Sequence, residues 1–422
     1  MAAPSSPFGP LHLSCNDTLW LQELVRLLVH EHALEYETFV HQDERRLDPT
    51  QWKLTTQRDN LQVFSQQPTL RRKNSSAGER ESRRNLFTSG RDTAVRATLT
   101  EMPTLLLVGS IKGSLNDVMY GVLNPTADSM RLKSSYVGDK FAGCAVLATL
   151  ERPTPSDPFR SHTLKWFEGD HPYIFRPIVK NRDFVFMEAT GSAELASGER
   201  VGYHVMHSVT FPGARVMNGN IRAHMAVCAF YKQKSDGVVE VFTKTTANPG
   251  GHVAPAIAVK YGATALVSAQ NLVECALAKK LAWTVSDRTR STSTTSTCSS
   301  SSSSSSSAQL RGVCSICGES TSLLSRSDSC ALCSRPMCPA CKVKKSLRFI
   351  SWTGGLTRRK MRFCQLCAAA AMNMDARALA CQEFGVIEER RPTGRHRLTA
   401  HLEGLTASDP NVVQLRPSAL SS

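Results

Sequence analysis

A chain of 422 residues with 41% apolar content is long enough for roughly two to three domains and apolar enough to bury a core in at least one, which excludes a wholly disordered protein. Its formal charge of +15 points to anionic partners, whether nucleic acid, a phosphoinositide-bearing membrane or an acidic protein. Met1 to His12 holds no continuous apolar run, so no secretory signal is expected, and the most apolar long stretch, Val253 to Trp283, is interrupted by Lys260, Gln270, Asn271, Glu274 and Lys279, which argues against a spanning helix. The expectation is a cytoplasmic protein whose membrane contact, if it has any, is peripheral.

In chain order the pattern reads helix, then mostly strand, then helix. Leu21, Leu24, Val25 and Leu28 repeat at the spacing of a helix buried on one face, predicted from about Asp17 to His41 with Asn16 or Asp17 as its cap. Arg71 to Asp92 is a basic segment to which no structure is assigned. Strands are predicted at Asn60 to Ser65, Thr104 to Ile111, Ala145 to Glu151, Ser161 to Glu168, Asp183 to Thr190, Gly202 to Phe211, Arg222 to Tyr231 and Val238 to Thr245. Turn residues such as Pro212-Gly213 and Ser235-Asp236-Gly237 bound most of them. One or two short helices fit Ser114 to Tyr136, with Ser114 as cap. After Asn248-Pro249-Gly250-Gly251, Val259, Ala263, Leu266, Val273 and Leu277 form an apolar stripe on one long helix, which must be buried against the concave face of the sheet. The fold class expected for residues 15–285 is therefore α+β, a curved antiparallel sheet gripping a long C-terminal helix. The faces carrying Tyr203, Val205, Val209 and Phe211 suit either a ligand tunnel or an ordinary core, and Arg182 with Asp183 reads as a structural ion pair.

Arg182-Asp183-Phe184-Val185-Phe186, His207-Ser208-Val209, Pro212, Ile221-Arg222 and the closing Asn248-Pro249-Gly250-Gly251 helix resemble the START domain in order and spacing, over about Cys15 to Trp283. That resemblance implies a helix-grip fold whose tunnel holds one lipid or sterol. No catalytic constellation is visible. His204, His207 and His224 fall on predicted strands with no carboxylate or serine that the sequence places beside them, so a non-enzymatic protein is expected.

Residues 286–309 are dominated by Ser and Thr, with nine consecutive serines at Ser299 to Ser307, and read as a flexible linker; residues 386–422 read as a disordered tail. Between them, in a finger spanning 310–385, lie eight of the fourteen cysteines as four CxxC pairs: Cys314 and Cys317, Cys330 and Cys333, Cys338 and Cys341, Cys364 and Cys367, separated by twelve, four and twenty-two residues. Without a secretory signal, such crowding points to metal rather than disulfides. Each pair offers two thiolates to one tetrahedral ion at about 2.3 Å, so the eight close two structural zinc sites. Only four residues part the middle pairs, which favours a cross-brace: Cys314, Cys317, Cys338 and Cys341 on one ion, Cys330, Cys333, Cys364 and Cys367 on the other.

All eight ligand positions, together with Arg362-Phe363-Cys364, resemble the FYVE family, which implies docking on phosphatidylinositol 3-phosphate in endosomal or other anionic membranes. The family's basic run with two histidines is replaced here by Arg326-Ser327-Asp328-Ser329-Cys330-Ala331, and its Trp-x-x-Asp is absent, so the finger is FYVE-like. Arg326, Lys342, Lys344, Lys345, Arg348, Arg358, Arg359, Lys360 and Arg362 are the candidate lipid-phosphate contacts, and Leu323 and Leu324 the candidate membrane-inserting pair. Phe349 and Trp352 are expected to pack between the metal sites. The expected protein is a lipid-binding membrane adaptor whose two weak sites gain from their flexible tether. The alternatives are a RING-like ubiquitin ligase, which usually has a histidine among the middle ligands, and a module binding protein or nucleic acid.

Overall fold

The computed structural model describes residues 6–9, 11–67, 90–139, 141–169, 180–294, 313–320, 328–351, 354–384 and 413–414. The serine run and most of the basic segment and of the tail lie outside them, as do Leu323, Leu324, Arg326 and Trp352.

Helix α1 (Cys15–Glu37) begins at Ser14 rather than at the expected caps. The Ser14 hydroxyl accepts from the backbone N–H of Asp17 at 3.1 Å, while the Asp17 carboxylate accepts from the Ser14 N–H at 3.0 Å, so two orphan donors are satisfied reciprocally. Leu21, Leu24 and Leu28 are buried as their spacing requires. The chain then forms β1 (Trp52–Arg58), β2 (Leu61–Gln66), α2 (Gly90–Thr100), β3 (Leu105–Lys112), α3 (Leu115–Val122) and α4 (Ala127–Val137). Six further strands follow: β4 (Phe141–Glu151), β5 (Ser161–Gly169), β6 (Arg182–Glu194), β7 (Arg200–Ser208), β9 (His224–Ser235) and β10 (Val238–Asn248), with the two-residue β8 (Ile221–Arg222) between the fourth and fifth of these. They pair antiparallel in the order β1-β2-β3-β10-β9-β7-β6-β5-β4, while β8 and a two-residue strand in the tail, β15 (Val413–Gln414), lie parallel to β6. Strand β1 escaped the sequence reading because most of its residues face solvent and leave little apolar alternation.

Two-residue periodicity splits the sheet into two unlike faces. Val185, Met187 and Ala189 of β6 join Leu21, Leu24 and Leu28 in a core beneath α1. Phe184, Phe186 and Glu188, one residue out of phase, point to the opposite face. Tyr203, Val205, Val209 and Phe211 all belong to the α1 core, so these four residues build packing and not a ligand wall.

The predicted closing helix is two helices. α5 (Pro255–Val267) ends in a 3₁₀ turn over Ser268–Asn271, and α6 (Leu272–Thr294) continues into residues expected to be linker. Polar Gln270 and Asn271 mark the break, and the apolar stripe divides with it. Val259 and Leu266 face the sheet, Val273 packs against Gly113, and Leu277 turns toward the cysteine-rich region. Gly121 of α3 is required where α3 meets α6, since a Cβ there would lie 2.1 Å from the Leu272 carbonyl oxygen. The ion pair expected at Arg182 and Asp183 is corrected as well. Neighbouring strand residues point apart, and Asp183 instead accepts from Arg222 at 2.9 Å and from the Trp166 indole at 3.1 Å, while Arg182 donates to the Pro249 carbonyl.

The cysteine-rich region adds two short hairpins' worth of strand, β11 (Asp328–Ser329) with β12 (Pro336–Met337) and β13 (Lys342–Ile350) with β14 (Leu356–Cys364), then α7 (Gln365–Met372) and α8 (Ala376–Phe384). This region packs on the sheet domain. Ala278 and Leu281 of α6 share a core with Leu347, Phe363 and Ala368, and Leu379 of α8 enters the core around Val118, Leu123 and Phe159. Two nearly buried lysines reinforce the junction. Lys280 bridges Asp117 at 2.6 Å and the Met372 carbonyl at 2.9 Å, while Lys279 lies 3.4 Å from Glu383, which also accepts from the Tyr120 hydroxyl at 2.6 Å. Two independent modules on a tether do not describe this arrangement.

Candidate ligand cavity and metal centres

Between the concave sheet face and α4, α5 and the start of α6 lies a cavity of about 520 Å³. Met225, Val227 and Ala229 of β9 form its floor and Val259 and Leu266 of α5 its roof, a volume and lining of the kind that accepts a small apolar ligand. One end is polar. Glu188 on β6 is bound by the buried Lys165 ammonium through one carboxylate oxygen, and through the other by His204 Nε2 at 2.6 Å and Asn124 Nδ2 at 3.3 Å, with Lys133 Nζ at 3.8 Å. Lys165 also donates to the Asn124 carbonyl at 2.6 Å.

Burial disfavours ionisation of Glu188, yet Lys165 and Lys133 overcome it and hold the carboxyl well below the usual carboxylate range. Burial, helped by Lys133, lowers the pKa of His204, so its imidazole is neutral at physiological pH. Asp139 also lines the cavity. A charge cluster taken this far from water is costly unless every member is paired, and here each of Lys165, Glu188 and His204 is.

None of Lys165, Glu188, Lys133 and Asn124 was singled out by the sequence reading, and His204, taken there as a histidine without a carboxylate partner, has Glu188. The available signal was a lone charge inside an apolar strand, Lys165 in Leu164-Lys165-Trp166 and Glu188 in Met187-Glu188-Ala189. His207 bonds the Ser208 carbonyl at 2.8 Å, and His224 stands half-buried near Arg222 and Asp183.

The eight cysteines gather in two groups, Cys314, Cys317, Cys338 and Cys341 in one and Cys330, Cys333, Cys364 and Cys367 in the other, with the sulfurs of each group within 4.8 Å of one another. Two pairs span different CxxC units, Cys317 to Cys338 at 3.7 Å and Cys333 to Cys364 at 3.9 Å. A tetrahedral ion with arms of about 2.3 Å separates its sulfur ligands by about 3.8 Å, so the donor sets fit zinc. Local backbone geometry builds both sites. Gly318 and Ser334, each just after a second cysteine, sit at φ 76° and 60° and return their N–H to the carbonyls of Cys314 and Cys330 at 2.9 Å. Cys364 caps α7 by accepting from the Cys367 N–H, which places Cys367 on the first turn. Backbone N–H groups of Cys317 and Cys338 draw the Cys314 thiol down to about 6, suiting it to thiolate ligation, whereas burial and the neighbouring cysteines push Cys341 up to about 12.

Of the nine candidate phosphate contacts, Arg326 lies outside the described residues and several of the others are engaged within the protein. Asp328 pairs with Lys342 at 2.5 Å and with Arg362 at 2.7 Å. Lys345 lies 3.7 Å from Glu274, Arg348 stacks on Tyr136 at 4.6 Å, Arg359 stacks on Phe349 at 5.4 Å, and Arg358 donates to the Ser346 hydroxyl. Lys344 and Lys360 are exposed.

No family model matches the chain, and no curated protein does. Among solved structures it is similar to human STARD10 at 10% identity, over 68% of this chain and 88% of that one, with a TM-score of 0.38. Human StarD13 (DLC2) lipid transfer and protein localization domain gives 14% identity, 63% and 98% coverage and 0.35, and human StAR-related lipid transfer protein 5 gives 11%, 60%, 98% and 0.38. Likenesses so distant carry no argument about function; the helix-grip arrangement rests on the strand order and register given above.

Proposed function

We propose that this chain is a non-enzymatic, START-like lipid-binding protein that keeps one lipid or sterol in the cavity between sheet and C-terminal helices and docks on anionic membrane through a FYVE-like finger folded around two zinc ions. The cavity supports this reading most directly: it is walled by apolar side chains and bounded at one end by Glu188, His204 and Lys133, with Lys165 behind Glu188, the pattern an amphiphile requires, with tail against Val227 and head group toward Lys133. The zinc would act by closing the finger, each four-thiolate site leaving no position open for water.

A histidine and carboxylate in one cavity also suggest acid–base chemistry. Against that, both oxygens of Glu188 are already engaged, and His204 uses Nε2 on Glu188. We read the pair as a positioning element for a head group. Native mass spectrometry of the full chain tests the proposal. One spectrum is expected to show two zinc ions and one lipid-sized adduct released by organic solvent; a chain that carries no such adduct and takes up none from mixed vesicles is not a lipid carrier.

A further inference from the structure

The hairpin register aligns charges that should repel. Lys344 stands opposite Arg362, Ser346 opposite Lys360 and Arg348 opposite Arg358, so the same face of β13 and β14 carries Lys342, Lys344, Arg348, Arg358, Lys360 and Arg362. Like charges directly across two strands destabilise the pairing, and a fold keeps such a face when an anionic partner is there to relieve it. Among the described residues the one carboxylate on this face is Asp328, which forms ion pairs with Lys342 and Arg362 and acts on Lys344 only at longer range. The face therefore divides. The end beside the metal sites, which in the FYVE family would read a phosphate, carries its own counter-ion. The remainder, Lys344 opposite Arg362 and Arg358 and Lys360 further out, is exposed and has no described carboxylate within ion-pair distance, and the face finishes in Leu356, a leucine 40% exposed where β14 begins.

We propose that the part of this hairpin face left without an ion-pair partner, Lys344, Arg358 and Lys360 with Leu356 at the tip, is the membrane-docking surface, and that it recognises the negative charge density of a bilayer and not one phosphoinositide head group. This rests on the lipid-binding reading above and replaces its expected site. A bilayer suits the face better than a nucleic acid does. Leu356 adds an apolar point for insertion, whereas among the described residues Phe349 lies on the opposite face under Arg359 and Tyr136 is already stacked by Arg348, so neither offers a free stacking platform. The placement also fits the cavity: α6 lines the cavity with Leu272 and seats the hairpin with Ala278 and Leu281, so one rigid helix joins the membrane face to the lipid site.

The test is co-sedimentation of the zinc-loaded full chain with vesicles of phosphatidylcholine alone, with phosphatidylserine added, and with phosphatidylinositol 3-phosphate at matched total charge. Binding is expected to appear with phosphatidylserine, to be no stronger with the phosphoinositide, and to fall at least about tenfold in K344E/R358E/K360E, since each basic residue adds roughly 1 kcal/mol near an anionic surface. Asp328→Asn is expected to leave the phosphatidylserine dependence in place. Stereospecific preference for the phosphoinositide, or unchanged binding by the triple variant, overturns the assignment of this face while leaving membrane docking intact. No binding to any anionic vesicle removes the docking reading altogether. Tighter binding to duplex DNA than to vesicles, lost in the same triple variant, assigns the face to nucleic acid and overturns the proposal. Co-purified lipid and two bound zinc ions in the triple variant serve as the control for folding.

Discussion

The sheet domain and the cysteine-rich finger meet the same requirement, holding charge away from water, by opposite means. In the sheet domain Lys165 neutralises Glu188 at one end of a cavity of about 520 Å³, with the neutral His204 bonded to the same carboxylate, and the large apolar cores on both sheet faces carry the fold around them. In the finger the buried groups are thiols, its core is a few residues such as Leu347 and Phe363, and the cysteines stand in two groups of four, each placed so that one metal ion could hold it together. The proposed zinc sites therefore predict that the finger's fold depends on metal while that of the sheet domain does not.

The largest effect should come from chelation. Structural zinc contributes on the order of 10 kcal/mol per site, so removing it is expected to strip amide-exchange protection from residues 313–384 while β6, β7, β9 and β10 stay protected. Equal loss of protection in both regions would show that they stand or fall as one unit.

Second in size is Glu188→Gln, which leaves the Lys165 ammonium buried without its counter-charge. The expected cost is about 3–5 kcal/mol in urea unfolding, most of it recovered by adding Lys165→Met. A cost below 1 kcal/mol would mean that the cluster is hydrated.

Acid should act on the sheet domain through His162, whose pKa burial lowers from 6.5 to about 4. The unfolded chain binds the proton first, so stability is complete above pH 6.5 and falls by about 3 kcal/mol as the pH drops toward 4. His162→Asn is expected to flatten that part of the pH profile; an unchanged profile would place the acid sensitivity elsewhere.

What could be read from the sequence differed between the two regions for the same physical reason. Each CxxC is a local device in which four adjacent residues declare a turn and a ligand pair, so the cross-braced grouping followed from spacing alone. The cavity cluster is assembled from β5, β6, β7, α4 and the loop before it, and each member is one polar residue in an otherwise ordinary segment; sequence distance hides Lys165 from Glu188 and Glu188 from His204. The phase of the strands was equally hidden. Tyr203 and Val205 bracket His204, and only the packing of α1 reveals which phase faces the cavity. Asp328 was legible as a departure from a basic motif, but its pairing with Lys342 and Arg362 required the finger's fold.

The smallest predicted effect concerns one turn. Ser334 occupies the left-handed conformation that Gly318 occupies at the equivalent place in the other site, so Ser334→Gly should stabilise the finger by about 0.5–1 kcal/mol, read as slower zinc release to a chelator.

The account stands on the cavity being a binding site for a lipid. Val227 lies on its floor, and Val227→Trp would fill it without touching the charged cluster or the cysteines. Titration of the full chain with a fluorescent acyl-chain probe is the direct measurement. The account predicts saturation at one probe per chain for the natural sequence and none for the tryptophan variant, with two zinc ions bound in both. Equal uptake by the two proteins, or none by either, would contradict it.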